Sequence, residues 1–176
     1  MSEAIAVREA ASHDFPGITR IYGHHVVHGL ATFEDEPPSE DDMLRRYIEV
    51  QMHRLPWLVA EGGGGAVVGY AYAMPYRLRA AYRFTLEDSI YVAPDAMRRG
   101  VGCRLLSDLV ERCTALGHRQ MIAVIGDSAN AASIRLHEKL GFRHVGMLPA
   151  SGFKHNRWVD SVLMQRALGD GDTSVP

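Results

Sequence analysis

Apolar and polar positions along the chain follow two periods. Short runs rich in β-branched and aromatic residues predict strands, and apolar residues at three- and four-residue spacing predict helices. In chain order these are one strand, two helices, three strands, a helix, a strand, a helix and two strands. The predicted strands are 4–8, 56–61, 66–75, 86–93, 121–126, 145–151 and 159–166, and the helices are 14–28, from Ser39 onward, from Gly100 onward and 130–141.

Local signals mark where some of these elements begin and end. Ser39 is followed by Asp41 and Asp42, so it is suited to cap the second helix. The glycines at 62–65 have strands on both sides and no helix after them. They therefore predict a hairpin turn and not a phosphate loop.

Length and composition narrow the class of protein. The 176 residues suit one domain at 1–168, followed by a small polar tail at 169–176 that we expect to be disordered. The formal net charge of -2 argues against nucleic acid as a partner. No apolar run is long enough for a membrane span, and the N-terminus lacks the pattern of a signal peptide. Cys103 and Cys113 are too far apart on one predicted helix for a disulfide, so we expect a cytoplasmic location.

The segment 88–103 reads as a buried strand, a turn at Pro94, and the start of a helix near Gly100. The first turn of a helix has backbone N–H groups without partners, and small residues let an anion approach them. Arg98 and Arg99 add positive charge, so the segment predicts a cradle for phosphate groups. A plain glycine-rich turn with a solvated basic pair is the alternative. A Walker loop and a dinucleotide fingerprint are excluded, because neither Gly-Lys-Ser/Thr nor a third spaced glycine is present.

A second motif follows at 121–142, where a buried strand leads to a short helix capped by Asn130 and ended by Gly141. The two segments together resemble the GCN5-related N-acetyltransferase superfamily. Its signature is Arg/Gln-x-x-Gly-x-Gly/Ala, a strand, and then Asn-x-x-(Ala/Ser)-x-x-Leu-(Tyr/His)-x-x-x-Gly-Phe. The chain departs at Met97, where the family usually has Arg or Gln, so we expect slightly weaker coenzyme binding.

The resemblance implies an α/β (α+β) fold with a mixed twisted sheet of six to seven strands and four helices on its faces. It also implies acetyl-CoA as cosubstrate without a metal. In this family the two central parallel strands splay apart, and the thioester arm of the coenzyme lies in the gap. The residues implied to hold the coenzyme are Tyr91, Val92, Arg98, Arg99, Gly100, Val101, Gly102, Cys103, Asn130 and Ser133.

A narrower resemblance covers nearly the whole chain. The segments 77–92, 123–126, 135–138 and 152–158 are similar to the phosphinothricin and methionine sulfoximine acetyltransferase branch. Members acetylate the α-amino group of small amino-acid analogues that carry a tetrahedral phosphorus or sulfur centre, and some detoxify herbicides. The resemblance alone implies a homodimer.

Acetyl transfer to an amine needs a base, a group that stabilises the thioester oxygen, and a proton for the leaving thiolate. Glu87 is the candidate base, because burial at the start of the central strand would raise its pKa. A solvated strand-end carboxylate is the alternative. Asp88 should face the other side of the sheet. His137 is the candidate for the thiolate proton, or else a packed helix histidine, and the backbone near Val92 would hold the thioester oxygen.

The acceptor is expected to contact the segment before the central strand and the loop after the first helix. Guanidinium groups suit a carboxylate or an oxyanion. A solvated basic turn is the alternative for the former segment. The candidate substrate residues are Phe33, Glu34, Arg77, Arg79, Tyr82 and Thr85.

Several alternatives stay open. His24 and His28 have the spacing of a zinc pair, but no carboxylate joins them at ligand spacing. A covalent route through Cys103 is conceivable. At the level of function, the alternatives are a protein or peptide N-terminal acetyltransferase and a non-catalytic acyl-CoA sensor.

Overall fold

The computed structural model describes residues 5–176. Seven strands form one sheet in the order β1-β2-β3-β4-β5-β7-β6. The strands are β1 Ala6–Glu9, β2 Trp57–Glu61, β3 Val67–Pro75, β4 Thr85–Val92, β5 Gln120–Gly126, β6 Arg143–Lys154 and β7 Arg157–Ala167. The helices are α1 Phe15–His28, α2 Glu40–Met52, α3 Val101–Ala115 and α4 Ala131–Lys139.

The sheet is antiparallel except between its central strands β4 and β5. Their parallel register starts at Thr85 with Gln120 and stops at Asp88 with Ala123. Beyond that point β5 continues its pairing with β7 alone, and β4 pairs only with β3. The predicted splay between the two central parallel strands is confirmed, and so is the mixed sheet with four helices.

Helices cover both faces of the sheet. On one face, Phe15 of α1 contacts Trp57 of β2, whose ring stacks on Tyr72 of β3 with centroids 4.2 Å apart. On the other face, a Cβ added at Gly69 would meet Val101 and Leu105 of α3 at 2.9 and 3.1 Å. The core therefore has an aromatic layer towards α1 and α2 and an aliphatic layer towards α3.

Some ends of elements differ from the predicted ones. β1 begins at Ala6, and the predicted first residue, Ala4, lies outside the described residues. β6 is longer than the predicted strand at 145–151, because a two-residue turn at His155 and Asn156 joins it directly to β7. Both turn residues have positive φ, 49° and 57°, as tight hairpins require. The hairpin turn predicted at 62–65 is confirmed between β2 and β3.

The C-terminal tail, for which the sequence predicted disorder, packs against the body. Arg119 donates hydrogen bonds to the Gly171 carbonyl and the Ser174 hydroxyl, 3.3 and 3.1 Å away. The disorder expected for 169–176 stays a prediction. Within residues 5–176, none of the helices has the length and apolar character needed to cross a membrane.

Candidate active site

The gap between β4 and β5 exposes one edge of β4. Ala93 donates its N–H to Val68 of β3, and Thr85 accepts from Tyr76, so the odd-numbered residues of β4 bond to β3. Ile90 and Val92 therefore direct their N–H and C=O groups into the gap. An unpaired strand edge of this kind can bond an extended ligand in the way another strand would.

His25 of α1 occupies one acceptor of this edge. Its Nε2 lies 2.8 Å from the Val92 carbonyl oxygen. Burial lowers the pKa of His25, against the opposite effect of the Val92 carbonyl, so the neutral ring donates from Nε2. Because His25 binds the Val92 carbonyl oxygen, the Val92 N–H is the backbone group of this residue that remains for a ligand.

A cavity of about 210 Å³ lies in the gap between β4 and β5. Both central strands, the N-terminal half of α4 and the loop after α1 form its walls. The lining residues that the sequence singled out are Phe33, Glu87, Tyr91, Asn130, Ser133 and His137.

Glu87 enters the cavity from the α1 and α2 side of the sheet. Burial raises the pKa of its carboxyl group, the neighbouring charge of Asp88 raises it further, and Arg77 lowers it slightly. The net direction is upward. A carboxylate of this kind is a stronger base than one in water, which suits the removal of a proton from an ammonium group.

His137 lies on the opposite side of β4 from Glu87, and it is 2% exposed. Its Nε2 is 3.1 Å from Asp88 Oδ2 and its Nδ1 is 2.8 Å from the Ser133 carbonyl oxygen. Burial lowers the pKa of the imidazole, but the bond to Asp88, its charge and the Ser133 carbonyl outweigh burial and raise it. Asp88 thus faces α3 and α4, as strand alternation requires.

The segment before α3 contains the residues that the sequence predicted to form an anion cradle, and its backbone geometry suits one. Arg98 and Gly100 have φ values of 61° and 82°, and no side chain caps the helix at Gly100. The N–H groups of Val101, Gly102 and Cys103 in the first turn are left for a ligand. A Cβ at Gly102 would lie 3.1 Å from Leu136 and 3.7 Å from Val92, so this glycine also lets α3 start close to the central strand. Met97 is exposed on the same turn.

Asn130 caps α4, as predicted. Its side-chain oxygen accepts from the backbone N–H of Ser133, 3.2 Å away. The cap fixes the first turn of α4, which carries both residues along the cavity wall.

The loop after α1 is clamped at several points. Phe33 packs on Gly152 of β6, where a Cβ would lie 2.5 Å from its ring. Glu34 binds Arg46 of α2 at 2.7 and 2.9 Å and accepts from Tyr22. Lys154, which is 2% exposed, donates to the Thr32 carbonyl at 2.8 Å. The Glu34 carboxylate is therefore engaged inside the protein, and Phe33 is the side chain that the loop presents to the cavity.

The remaining predicted substrate residues lie outside the cavity wall. Arg77 and Arg79 belong to the exposed connection between β3 and β4, and Tyr82 is 38% exposed there. Arg77 covers the Tyr76 ring at 5.1 Å. Thr85 opens β4 at the paired end, opposite Gln120.

The histidines of α1 do not form a metal centre of the usual composition. His24 and His28 have ring centroids 4.7 Å apart. Across residues 5–176, no group of three or more His, Cys, Asp and Glu side chains is arranged to hold a metal ion. Cys103 is a half-buried free thiol in the first turn of α3.

The sequence model of the acetyltransferase (GNAT) family matches residues 8–142. The chain belongs to this family. The family resemblance drawn from the two motifs is confirmed, and the open seven-stranded sheet is the GNAT fold.

Individual relatives of this GNAT protein are also similar along nearly their whole length. The phosphinothricin N-acetyltransferase of Alcaligenes faecalis is 52% identical over 173 residues, which are 98% of this chain and 87% of that protein. The L-methionine sulfoximine/L-methionine sulfone acetyltransferase of Salmonella typhimurium is 39% identical, with 94% and 96% covered. The crystal structure of a GNAT superfamily phosphinothricin acetyltransferase from Sinorhizobium meliloti in complex with AcCoA superposes with a TM-score of 0.95 at 50% identity, covering 98% and 92%.

Sequence reasoning missed several residues around the site of this GNAT protein. Asp88 was placed on its face correctly, but its contact with His137 was not predicted. Neither His25 nor Arg46 was predicted to be part of the site. The contact between Asp88 and His137 could have been inferred from the sheet face, because strand alternation places Asp88 on the face that α4 also covers. His25 and Arg46 make contacts with distant segments, and the local pattern carries no signal for these.

A substitution at Gly126, at the end of β5, tests how tightly the loop after α1 is held. A Cβ at this position would overlap the backbone carbonyl of Leu30, which cannot rotate away. Gly126→Ala should therefore lower the free energy of unfolding by about 1–3 kcal/mol in chemical denaturation.

Gly146→Ala in β6 is the matched control, because nothing lies within 4 Å of a Cβ there. Gly146→Ala should change the free energy of unfolding by less than about 0.5 kcal/mol. Equal stability of the two variants would show that the loop does not sit against Gly126 in solution.

Proposed function

We propose that this protein transfers the acetyl group of acetyl-CoA to the α-amino group of a small amino-acid analogue. Phosphinothricin, methionine sulfoximine and methionine sulfone are the proposed acceptors. The observation that carries the proposal is the position of Glu87, a carboxylate of raised pKa in the cavity where the β4–β5 pairing ends. The names of the relatives at 52% and 39% identity support the choice of acceptors.

The residues of the chain fit acetyl-CoA along its length. The first turn of α3, with Arg98 and Arg99 before it, suits the pyrophosphate. The unpaired edge of β4 at Ile90 and Val92 suits the amide groups of the pantetheine arm, and Asn130 and Ser133 border the same channel. Acetyl-CoA supplies the acetyl group as a thioester.

Each reactive group has one proposed task. Glu87 takes a proton from the acceptor's ammonium group, directly or through a water molecule, so that the neutral amine attacks the thioester carbonyl carbon. The N–H of Val92 stabilises the carbonyl oxygen as it becomes negative. A C–N bond forms, the C–S bond breaks, and His137 gives a proton to the departing sulfur. Glu87 passes the first proton, from the ammonium group, to solvent and takes a second one from the nitrogen as the amide forms. Solvent removes that proton too and returns one to His137.

The acceptor is proposed to bind between the cavity and the exposed connection before β4. The positive charge of Arg77 lowers the pKa of Glu87, which supports an acceptor site that both groups reach. With Arg79, Tyr82 and Thr85 it is suited to bind a carboxylate or the oxygens of the tetrahedral centre. Phe33 forms the opposite wall, and Glu34 acts through its bonds to Arg46 by holding that wall in place.

We also propose that the protein forms a homodimer through the outer face of the β6–β7 hairpin. β6 is an edge strand, and most of its residues are exposed. Exposed apolar groups concentrate there, which is typical of an interface: Val145, Met147, Leu148, Phe153 and Trp158. A cytoplasmic location, which suits two free thiols, and a role in detoxification and herbicide resistance belong to the same proposal.

The acceptor is tested with a thiol-release assay. Acetyl-CoA is supplied with phosphinothricin, methionine sulfoximine, methionine sulfone, methionine, glutamate or a short peptide. Turnover should be confined to the first three, because only they combine a free amino-acid backbone with oxygens on a tetrahedral centre. Preferred turnover of the peptide would favour an N-terminal acetyltransferase. Turnover of none, with acetyl-CoA still raising the Tm, would favour an acyl-CoA sensor.

The role of Glu87 is tested by Glu87→Gln, which keeps the shape of the side chain but removes the base. kcat should fall by about 10²- to 10⁴-fold, while the Kd of acetyl-CoA stays unchanged. In the parent enzyme kcat/KM should rise with pH as the Glu87 carboxyl, with its raised pKa, loses its proton. This rise should be absent from the variant.

Glu111→Gln, an exposed position on α3, is the matched control and should retain full activity. Comparable turnover by Glu87→Gln and Glu111→Gln across the pH range would rule out Glu87 as the base.

The dimer is tested by replacing Trp158, which is 68% exposed, with Glu. Sedimentation should show a dimer for the parent protein and a monomer for the variant, because a charge at the centre of an apolar interface is left unpaired. Leu78→Glu, at an 86% exposed residue away from the hairpin, should remain dimeric. A monomeric parent protein would contradict the proposal.

A further inference from the structure

The ring of His137 lies between two hydrogen-bond acceptors. Nδ1 is 2.8 Å from the backbone carbonyl oxygen of Ser133, one turn earlier on α4. Nε2 is 3.1 Å from Asp88 Oδ2 on β4. A carbonyl oxygen has no proton to give, and an ionised carboxylate has none either. Both ring nitrogens are therefore placed to donate.

A neutral imidazole has a single N–H and cannot satisfy both acceptors. The arrangement requires one more proton, either on the second ring nitrogen or on Asp88. An imidazole nitrogen is a stronger base than a carboxylate oxygen, so the additional proton binds the nitrogen. The proton belongs on the ring, which makes it an imidazolium.

The environment of Asp88 leads to the same conclusion. Asp88 is 6% exposed, and its other oxygen, Oδ1, has no hydrogen-bond partner within residues 5–176. A buried carboxylate is strongly destabilising unless a cation pairs with it. The ion pair found for it within those residues is with His137. A neutral ring would leave the negative charge of Asp88 uncompensated.

The other groups packed around the pair do not compete for the proton. From α3, Cys113 is buried, and burial together with the charge of Asp88 raises the pKa of its thiol to about 12, so it stays neutral. Phe142 places its ring edge-on to His137 with centroids 5.0 Å apart. On β5 the residue in register with Asp88 is Ala123, which carries no charge, and Glu87 points to the other face of β4. Asp88 is the charged group that acts on the ring.

We propose that Asp88 is a positioning residue that holds His137 as a doubly protonated imidazolium at the wall of the cavity. The consequence for catalysis rests on the proposed acetyl transfer. Glu87 and His137 border the cavity from opposite faces of one strand, so the base and the proton donor are kept apart. Asp88 keeps the donor charged at neutral pH and fixes the plane of its ring. Because both N–H groups bond inside the protein, one of these bonds must open when His137 gives a proton to the sulfur.

The first test uses the unmodified protein and needs no acceptor. ¹⁵N NMR of the histidine rings reports how many nitrogens of each ring carry a proton, and His137→Gln identifies the His137 signal by its loss. We expect both nitrogens of His137 to be protonated at pH 7.5, when a solvent-exposed histidine with a pKa near 6.5 is about 90% neutral. A His137 ring with one protonated nitrogen at pH 7.5 would overturn the proposal.

The second test is Asp88→Asn, which preserves shape and removes the charge. The pH midpoint of the His137 ring should fall by at least about one unit, a tenfold loss of proton affinity. Asp108→Asn, at an aspartate paired with Arg104 on the surface of α3, is the control and should leave the midpoint unchanged. An unchanged midpoint in a folded Asp88→Asn protein would overturn the role of Asp88.

Kinetics then connects the pair to turnover. In Asp88→Asn the alkaline limb of the kcat profile should move to lower pH by the same amount as the NMR midpoint, with the KM for acetyl-CoA within about twofold of the parent value. A purely structural role would lower kcat equally at every pH, and that result would overturn the catalytic consequence. If no acceptor is turned over, the proposed function fails, while the NMR result still decides the state of His137.

Discussion

The parallel pairing of β4 with β5 stops after Asp88 and Ala123, and the candidate site depends on this break. Backbone groups left unpaired inside a protein are destabilising, so the fold must cover them or leave them for a ligand. His25 covers the Val92 carbonyl, whereas the neighbouring N–H groups of the edge remain directed at the gap. The cavity, the segment before α3, Glu87 and the Asp88–His137 pair border this one discontinuity.

Strand alternation gives adjacent carboxylates different surroundings. Glu87 and Asp88 follow one another in the chain, yet their side chains leave opposite faces of β4. Glu87 meets the aromatic face, where burial raises its pKa and Arg77 opposes this only slightly. Asp88 meets His137 on the other face and pairs with it. The same strand therefore places the Glu87 carboxyl group and the His137 imidazole on two sides of one cavity, so the two groups do not bond to each other.

Local chemistry made much of this predictable. Ser39 and Asn130 were identified as caps because their side chains bond to backbone N–H groups only a few residues away. Gly100 and Gly102 indicated an anion cradle because a helix start needs small residues to admit a ligand. The full length of β6 was not predicted, since the tight turn at His155 and Asn156 extends the strand without an apolar period.

The sequence by itself determined the element order, the family, the cradle and the identity of Glu87 and His137 as candidates, because each depends on residues close together in the chain. Tertiary structure alone decided which of these groups meet. His25 reaches Val92 across 67 positions, Arg46 engages Glu34 from another helix, and Lys154 reaches Thr32 across 122 positions. His137 likewise contacts Asp88, 49 positions earlier. Contacts between distant segments follow from packing, which no local periodicity records.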